Sequence, residues 1–259
     1  MKRLNSILTL TICLSALLVV GMACSGSVTT NTTTTSNGNA AANSPSNTTT
    51  ANASTPAVST PKNIAGEYDA NGTNPDGGGT YKAALTITPR DDVFQFSWKS
   101  GKNDYDGVAV TQESAVAVAF TDGKNGQGCG VVLYKVNADG SLDGKVGYWG
   151  ENKMETEKAV RKSGTDLEGD YEITGKNPEG QEYKGKLNVK KEGLGYQFNW
   201  SAPDTLEGFG IQAGNLVAVG FGGKQCSFVG YDIKPDGTLD GKWGFKTSKS
   251  LGTEVAKKK

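Results

Sequence analysis

The 259-residue chain has no histidine, only three methionines and eight prolines, and no formal net charge: 27 lysines and arginines offset 27 aspartates and glutamates. Lacking imidazole, it is without the commonest general base, metal ligand and near-neutral pH switch. Its only run of three basic residues is Lys257 to Lys259, which argues against a counterion-releasing nucleic-acid surface. After Lys62 no stretch carries the 3.6-residue apolar period of a helix,.

What is present falls into three unlike regions. Residues 1–23 run from Lys2 and Arg3 through an uncharged stretch, Ile7 to Val20, into Gly21, Met22 and Ala23. This is the layout of an export signal, and the apolar run is shorter than the roughly 20 residues of a spanning helix. An uncleaved anchor is the alternative. Gly-Met-Ala before Cys24 resembles the lipobox of bacterial lipoproteins, with Gly21 where that family usually has Leu. The resemblance implies that Cys24 is diacylated, so that palmitate labels it. With Ser25 following, it also implies a bacterial envelope address, lipid-anchored in the outer membrane.

Residues 24–62 form the second region. From Ser25 to Lys62, 24 of 38 residues are Ser, Thr or Asn, and none is aromatic, Leu or Ile. Such a segment cannot bury enough apolar surface to offset its ordering entropy, so a disordered tether is expected.

All 21 aromatic residues lie in the third region, which is duplicated. Gln95-Phe96-Ser97-Trp98 answers Gln197-Phe198-Asn199-Trp200, and Asp139-Gly140-Ser141-Leu142-Asp143-Gly144-Lys145 answers Asp236-Gly237-Thr238-Leu239-Asp240-Gly241-Lys242. The offset drifts from 103 to 97, placing repeat 1 at 63–162 and repeat 2 at 163–259. Within each copy apolar residues alternate, as in Tyr196, Phe198 and Trp200, and Asp-Gly marks a hairpin,. About eight strands per copy are expected, beginning near Gly66, Thr80, Val93, Tyr105, Ala115, Cys129, Ser141 and Glu155 in the first. The fold class is therefore all-β: two tandem small antiparallel up-and-down β-barrels, lipocalin-like, since closure removes exposed edges. A pair of β-sandwiches is the alternative.

A barrel of eight strands is just wide enough to be filled by side chains or to hold one small ligand. The aromatic face is expected to be mainly packed core. If the interiors are hollow, Tyr81, Trp98 and Tyr134 in repeat 1 and Tyr183, Trp200 and Tyr231 in repeat 2 would meet a ligand. Cys129 and Cys226 occupy equivalent positions, and in an exported protein two leftover cysteines invite a disulfide,. Cys129 shares a strand face with Val131 and Leu133, opposite to Tyr134, so two outward apolar faces could meet there. Two separate buried thiols are the alternative.

Chemical motifs mostly fail. Gly180 to Lys186 imitates a phosphate loop, but Leu187 stands where Ser or Thr would ligate magnesium and no helix follows,. Asp143 and Asp240, beside Lys145 and Lys242, read as hairpin chemistry rather than a glycosidase pair. Asp69, Asn71 and Asp76 lack the glutamate that completes a calcium loop. No catalytic residue, cofactor or metal site is expected.

The string Tyr171-x-Ile173-x-Gly175-x-Asn177-Pro178-x-Gly180, then Tyr183-x-Gly185, Phe198-x-Trp200, Gly208-x-Gly210-Ile211, Asp236-Gly237-x-Leu239-x-Gly241-x-Trp243 and Gly252-Thr253-Glu254 resembles a repeat of bacterial secreted proteins labelled fibronectin-binding. It spans Asp166 to Ala256 closely and Asn63 to Val160 loosely, with Val146 in place of the tryptophan. The resemblance implies a shared fold and assigns no binding residue; anchor, spacer and duplicated module together point to an extracellular protein or glycan as partner. The function expected is non-enzymatic: a lipid-anchored envelope protein presenting two modules for adhesion. A carrier of a small hydrophobic ligand and a structural lipoprotein are the alternatives.

Overall fold

The computed structural model describes residues 63–123, 126, 128–201, 205–223 and 226–259. The expected signal, the lipidation site Cys24 and the tether lie outside the described residues.

The alternation in repeat 1 becomes strands β1 (Gly66–Thr73), β2 (Thr80–Arg90), β3 (Val93–Ser100), β4 (Asn103–Gln112), β5 (Ala115–Asp122), β6 (Cys129–Val136), β7 (Leu142–Tyr148) and β8 (Glu155–Arg161). Repeat 2 supplies β9 (Gly169–Lys176), β10 (Glu182–Glu192), β11 (Gly195–Ser201), β12 (Leu206–Ala213), β13 (Leu216–Gly222), β14 (Ser227–Ile233), β15 (Leu239–Gly244) and β16 (Gly252–Lys258). The Asp-Gly turns work as side-chain chemistry suggests: Asp139 accepts from the Ser141 amide at 2.9 Å and Asp236 from the Thr238 amide at 3.0 Å,. Among the described residues all sixteen strands belong to two closed antiparallel barrels of eight, which sets the sandwich alternative aside.

The barrels are not the repeats. The first runs β1-β2-β3-β4-β5-β14-β15-β16 and closes on β1; the second runs β6-β7-β8-β9-β10-β11-β12-β13 and closes on β6. The expected barrel boundaries at 63–162 and 163–259 are thereby corrected: three strands of each repeat complete the barrel of the other. The physical reason lies in near-equivalence. At the end of β5 the chain can turn back along β6 or pass on and leave β14 to pair there. The two strands offer the same inward series, Val132 and Tyr134 or Val229 and Tyr231, against Val116 and Val118. Pairing β5 with β14 and β13 with β6 lets the outward faces of both barrels meet. There Val108, Val110, Ala117 and Ala119 pack on Cys129, Val131, Leu133 and Ala218. Each fully buried Val or Leu at this seam contributes about 1.5–3 kcal/mol.

Gly222, at the end of β13, lies against Gly128, just before β6. Gly222 has φ +117°, and a Cβ there would lie 1.9 Å from the Gly128 carbonyl oxygen, so only glycine lets the strands pass. Cys129 and Cys226 are disulfide-bonded at this point, with Cα atoms 5.7 Å apart. The outward Cys face is thus the interface between barrels, and the bond ties the start of β6 to the residue before β14.

Candidate functional site: the barrel cups

Each barrel is plugged at one end by its own leading segment. Ile64 is buried beneath the first barrel, where its carbonyl accepts from the Tyr68 hydroxyl at 2.8 Å; Leu167 and Tyr171 repeat this under the second at 2.9 Å. Above the plug sits an aromatic layer. Phe96 lies against Tyr231 and Trp98, and Phe198 against Tyr134 and Trp200.

Over that layer a carboxylate enters each interior. Glu254 of β16 is 4% exposed and accepts from Tyr81 at 2.7 Å, Trp98 Nε1 at 3.0 Å and Tyr231 at 2.5 Å. Glu157 of β8 is 6% exposed and accepts from the Tyr134 hydroxyl and from Trp200 Nε1 at 3.3 Å, with Tyr183 facing the same group. Burial pushes the Glu157 carboxyl up, while the Tyr and Trp donors pull in the opposite direction. Tyr81, Tyr134, Tyr183 and Tyr231 are all driven well above the usual phenol range, first by burial and then by the neighbouring carboxylate. They therefore remain donors at any physiological pH.

A glycine directly across the strand pair makes room for each tyrosine. Tyr81 faces Gly72, Tyr183 faces Gly175, Tyr134 faces Gly144 and Tyr231 faces Gly241. A Cβ on Gly175 would stand 2.1 Å from the Tyr183 ring, and one on Gly241 2.3 Å from Tyr231. Bare backbone lets the ring lie flat and aim its hydroxyl at the carboxylate.

All six aromatic residues expected at a hollow interior point into the barrels, but grouped differently from the repeats. Tyr81, Trp98 and Tyr231 share one cup; Tyr134, Tyr183 and Trp200 share the other. Sequence reasoning missed Glu157 and Glu254. Their signal was available: Thr156-Glu157 and Thr253-Glu254 recur at an offset of 97, with the glutamate in the same strand phase as the buried Ala159 and Ala256.

Between the carboxylate and the rim each barrel holds a cavity. In the first it is about 180 Å³, lined by Tyr81, Trp98, Tyr105, Phe120, Trp243 and Glu254 among others. In the second it is about 270 Å³, lined by Val146, Tyr148, Glu155, Glu157, Trp200 and Phe221 among others. These interiors are neither solid nor lipocalin-sized: drug-sized pockets begin near 300 Å³, whereas a dry cavity of about 150 Å³ accepts benzene.

The motifs set aside on sequence grounds serve turns and surfaces. Asp76 accepts from the Lys249 and Ser250 amides at 2.6 and 2.7 Å, tying the β1–β2 loop to the β15–β16 loop. Asp240 pairs with Lys234 at 3.2 Å, and Asn137 donates to Asp143 at 2.8 Å.

No protein-family model, curated protein or solved structure matches the chain. The cups must therefore be read from their own chemistry.

Proposed function

We propose that this is a non-enzymatic binding protein whose two barrels each receive one small molecule, a single ring or its equivalent, carrying a hydrogen-bond donor. One observation carries this reading: a buried, oriented carboxylate faces an aromatic-walled cavity at the barrel rim. A carboxylate has about four acceptor positions. The three donors on Glu254 leave one for a guest's hydroxyl or amine. A wholly structural network would be expected to fill the space above it with side chains, as it does below. The N-terminal sequence supports the further reading that Cys24 is lipidated and that the barrels stand off a bacterial outer membrane on a tether.

Thermal unfolding and ligand-detected NMR with phenol, indole and cyclohexanol test the pocket. Saturable binding with a raised midpoint is expected, and no saturable binding by any of them overturns the reading. Palmitate labelling that disappears in Cys24→Ser tests the anchor. A second reading, in which the barrels present a surface to an extracellular protein or glycan, draws on the tether and the duplication. Solid-phase binding to fibronectin and matrix glycans tests it.

A further inference from the structure

The two cups differ at one cross-strand pair. In the first barrel Trp243 stands opposite Gly252; in the second, Val146 stands opposite Glu155. Glycine is required at 252, where a Cβ would lie 2.4 Å from the Thr73 carbonyl oxygen and 2.6 Å from Trp243 Nε1.

The second cup thereby gains a second carboxylate. Glu155 and Glu157 are two residues apart on β8, so both side chains face inward. Burial pushes the Glu155 carboxyl up, Glu157 and Glu179 add to it, and among the described lining residues there is no lysine or arginine. The lysines on this side of the barrel, such as Lys176, which pairs with Glu182 at 3.4 Å, do not line the cavity. Around the carboxylates stand Trp200, Tyr148, Tyr183 and Phe221. Calcium takes six to eight oxygens, more than two carboxylates supply, and among the described residues no third Asp, Glu, His or Cys joins them as a metal-binding group. An ammonium group suits both parts of the lining, since it forms charge-assisted hydrogen bonds to carboxylates and lies favourably over aromatic faces.

We infer that the second barrel is selective for organic cations, namely small amines with a ring-sized apolar body, while the first takes donors of similar size without regard to charge. This rests on the reading of the cups as binding pockets.

The indole N–H signals of the full chain provide separate reporters, Trp98 for the first cup and Trp200 for the second. Titrating ¹⁵N-labelled protein with benzylamine and, separately, benzyl alcohol should shift Trp200 with about tenfold tighter apparent binding of the amine, and Trp98 with no preference for charge. Glu155→Gln, a change at the half-buried end of the pair, should remove most of that preference while leaving the alcohol bound. Equal affinities at Trp200, or a preference that survives Glu155→Gln, overturns the inference and leaves the pockets standing. Failure of both probes to move either signal overturns the pocket reading itself.

Discussion

The first barrel narrows its rim with Trp243, packed 5.8 Å from Phe120 and 6.1 Å from Tyr81 between ring centres, and ties the loop above with Asp76. The second puts Val146 and Glu155 at the same place, and its β9–β10 turn is closed locally, the Gln181 amide donating to Asn177 at 2.8 Å. Beneath those rims the barrels agree almost residue for residue: a tyrosine-anchored plug, a stacked aromatic layer, a glutamate with Tyr and Trp donors, a glycine under each tyrosine. The difference teaches that the closed wall and its carboxylate form a constant frame, and that a few rim residues set what each frame admits.

The largest expected effect concerns whether the barrels are separable at all. A protease site placed in the connection between Arg161 and Gly169, cut after reduction of the disulfide, should leave two halves that co-elute in gel filtration and part only in denaturant. Tandem barrels, each made of one repeat, would separate at once. Next comes the bond itself. Cys129 and Cys226 close a loop spanning 97 residues, for which chain entropy predicts a loss of about 4–5 kcal/mol on removal. Cys129→Ser/Cys226→Ser should show this in urea unfolding, lowering both barrels together.

Glu254→Ala should cost about 3 kcal/mol, because it strands buried donors from Tyr81, Trp98 and Tyr231, and Glu254→Gln should cost less. Both are read by denaturant midpoint. The double variant Val146→Trp/Glu155→Gly should convert the second cup toward the first, weakening amine binding at Trp200 by about tenfold.

The smallest effect is pH dependence. Burial raises the Glu157 carboxyl above its ordinary value of 4.5, so between 4.5 and the raised value the folded state binds more protons than the unfolded one. Stability from this group is complete below pH 4.5 and is lost as pH rises through the folded value. The difference in unfolding free energy between Glu157→Gln and the parent should therefore change across that window and be flat above it.

Much of this was legible beforehand. Strand starts at Gly66, Thr80, Val93, Ala115, Cys129 and Glu155 followed from alternation, and the inward aromatic face from its phase. The opposed faces of Cys129 and Tyr134 were also visible, because strand parity fixes both at once. The exchange of strands was not, since alternation ranks β6 and β14 equally as neighbours of β5 and only three-dimensional packing separates them. The glutamates escaped for another reason. A charge in a strand reads as solvent-facing unless its phase is checked against Ala159 and Ala256, and what makes them site residues is convergence of three distant strands.

The pairing of β1 with β16 sets Tyr68 opposite Lys258, 190 residues further along the chain. No barrel made of β1–β5 can shut until the last strand has been delivered, so an emerging chain carries an open β5 edge for more than a hundred residues. Assembly is thus a matter of timing: without β16 the first barrel stays unsealed.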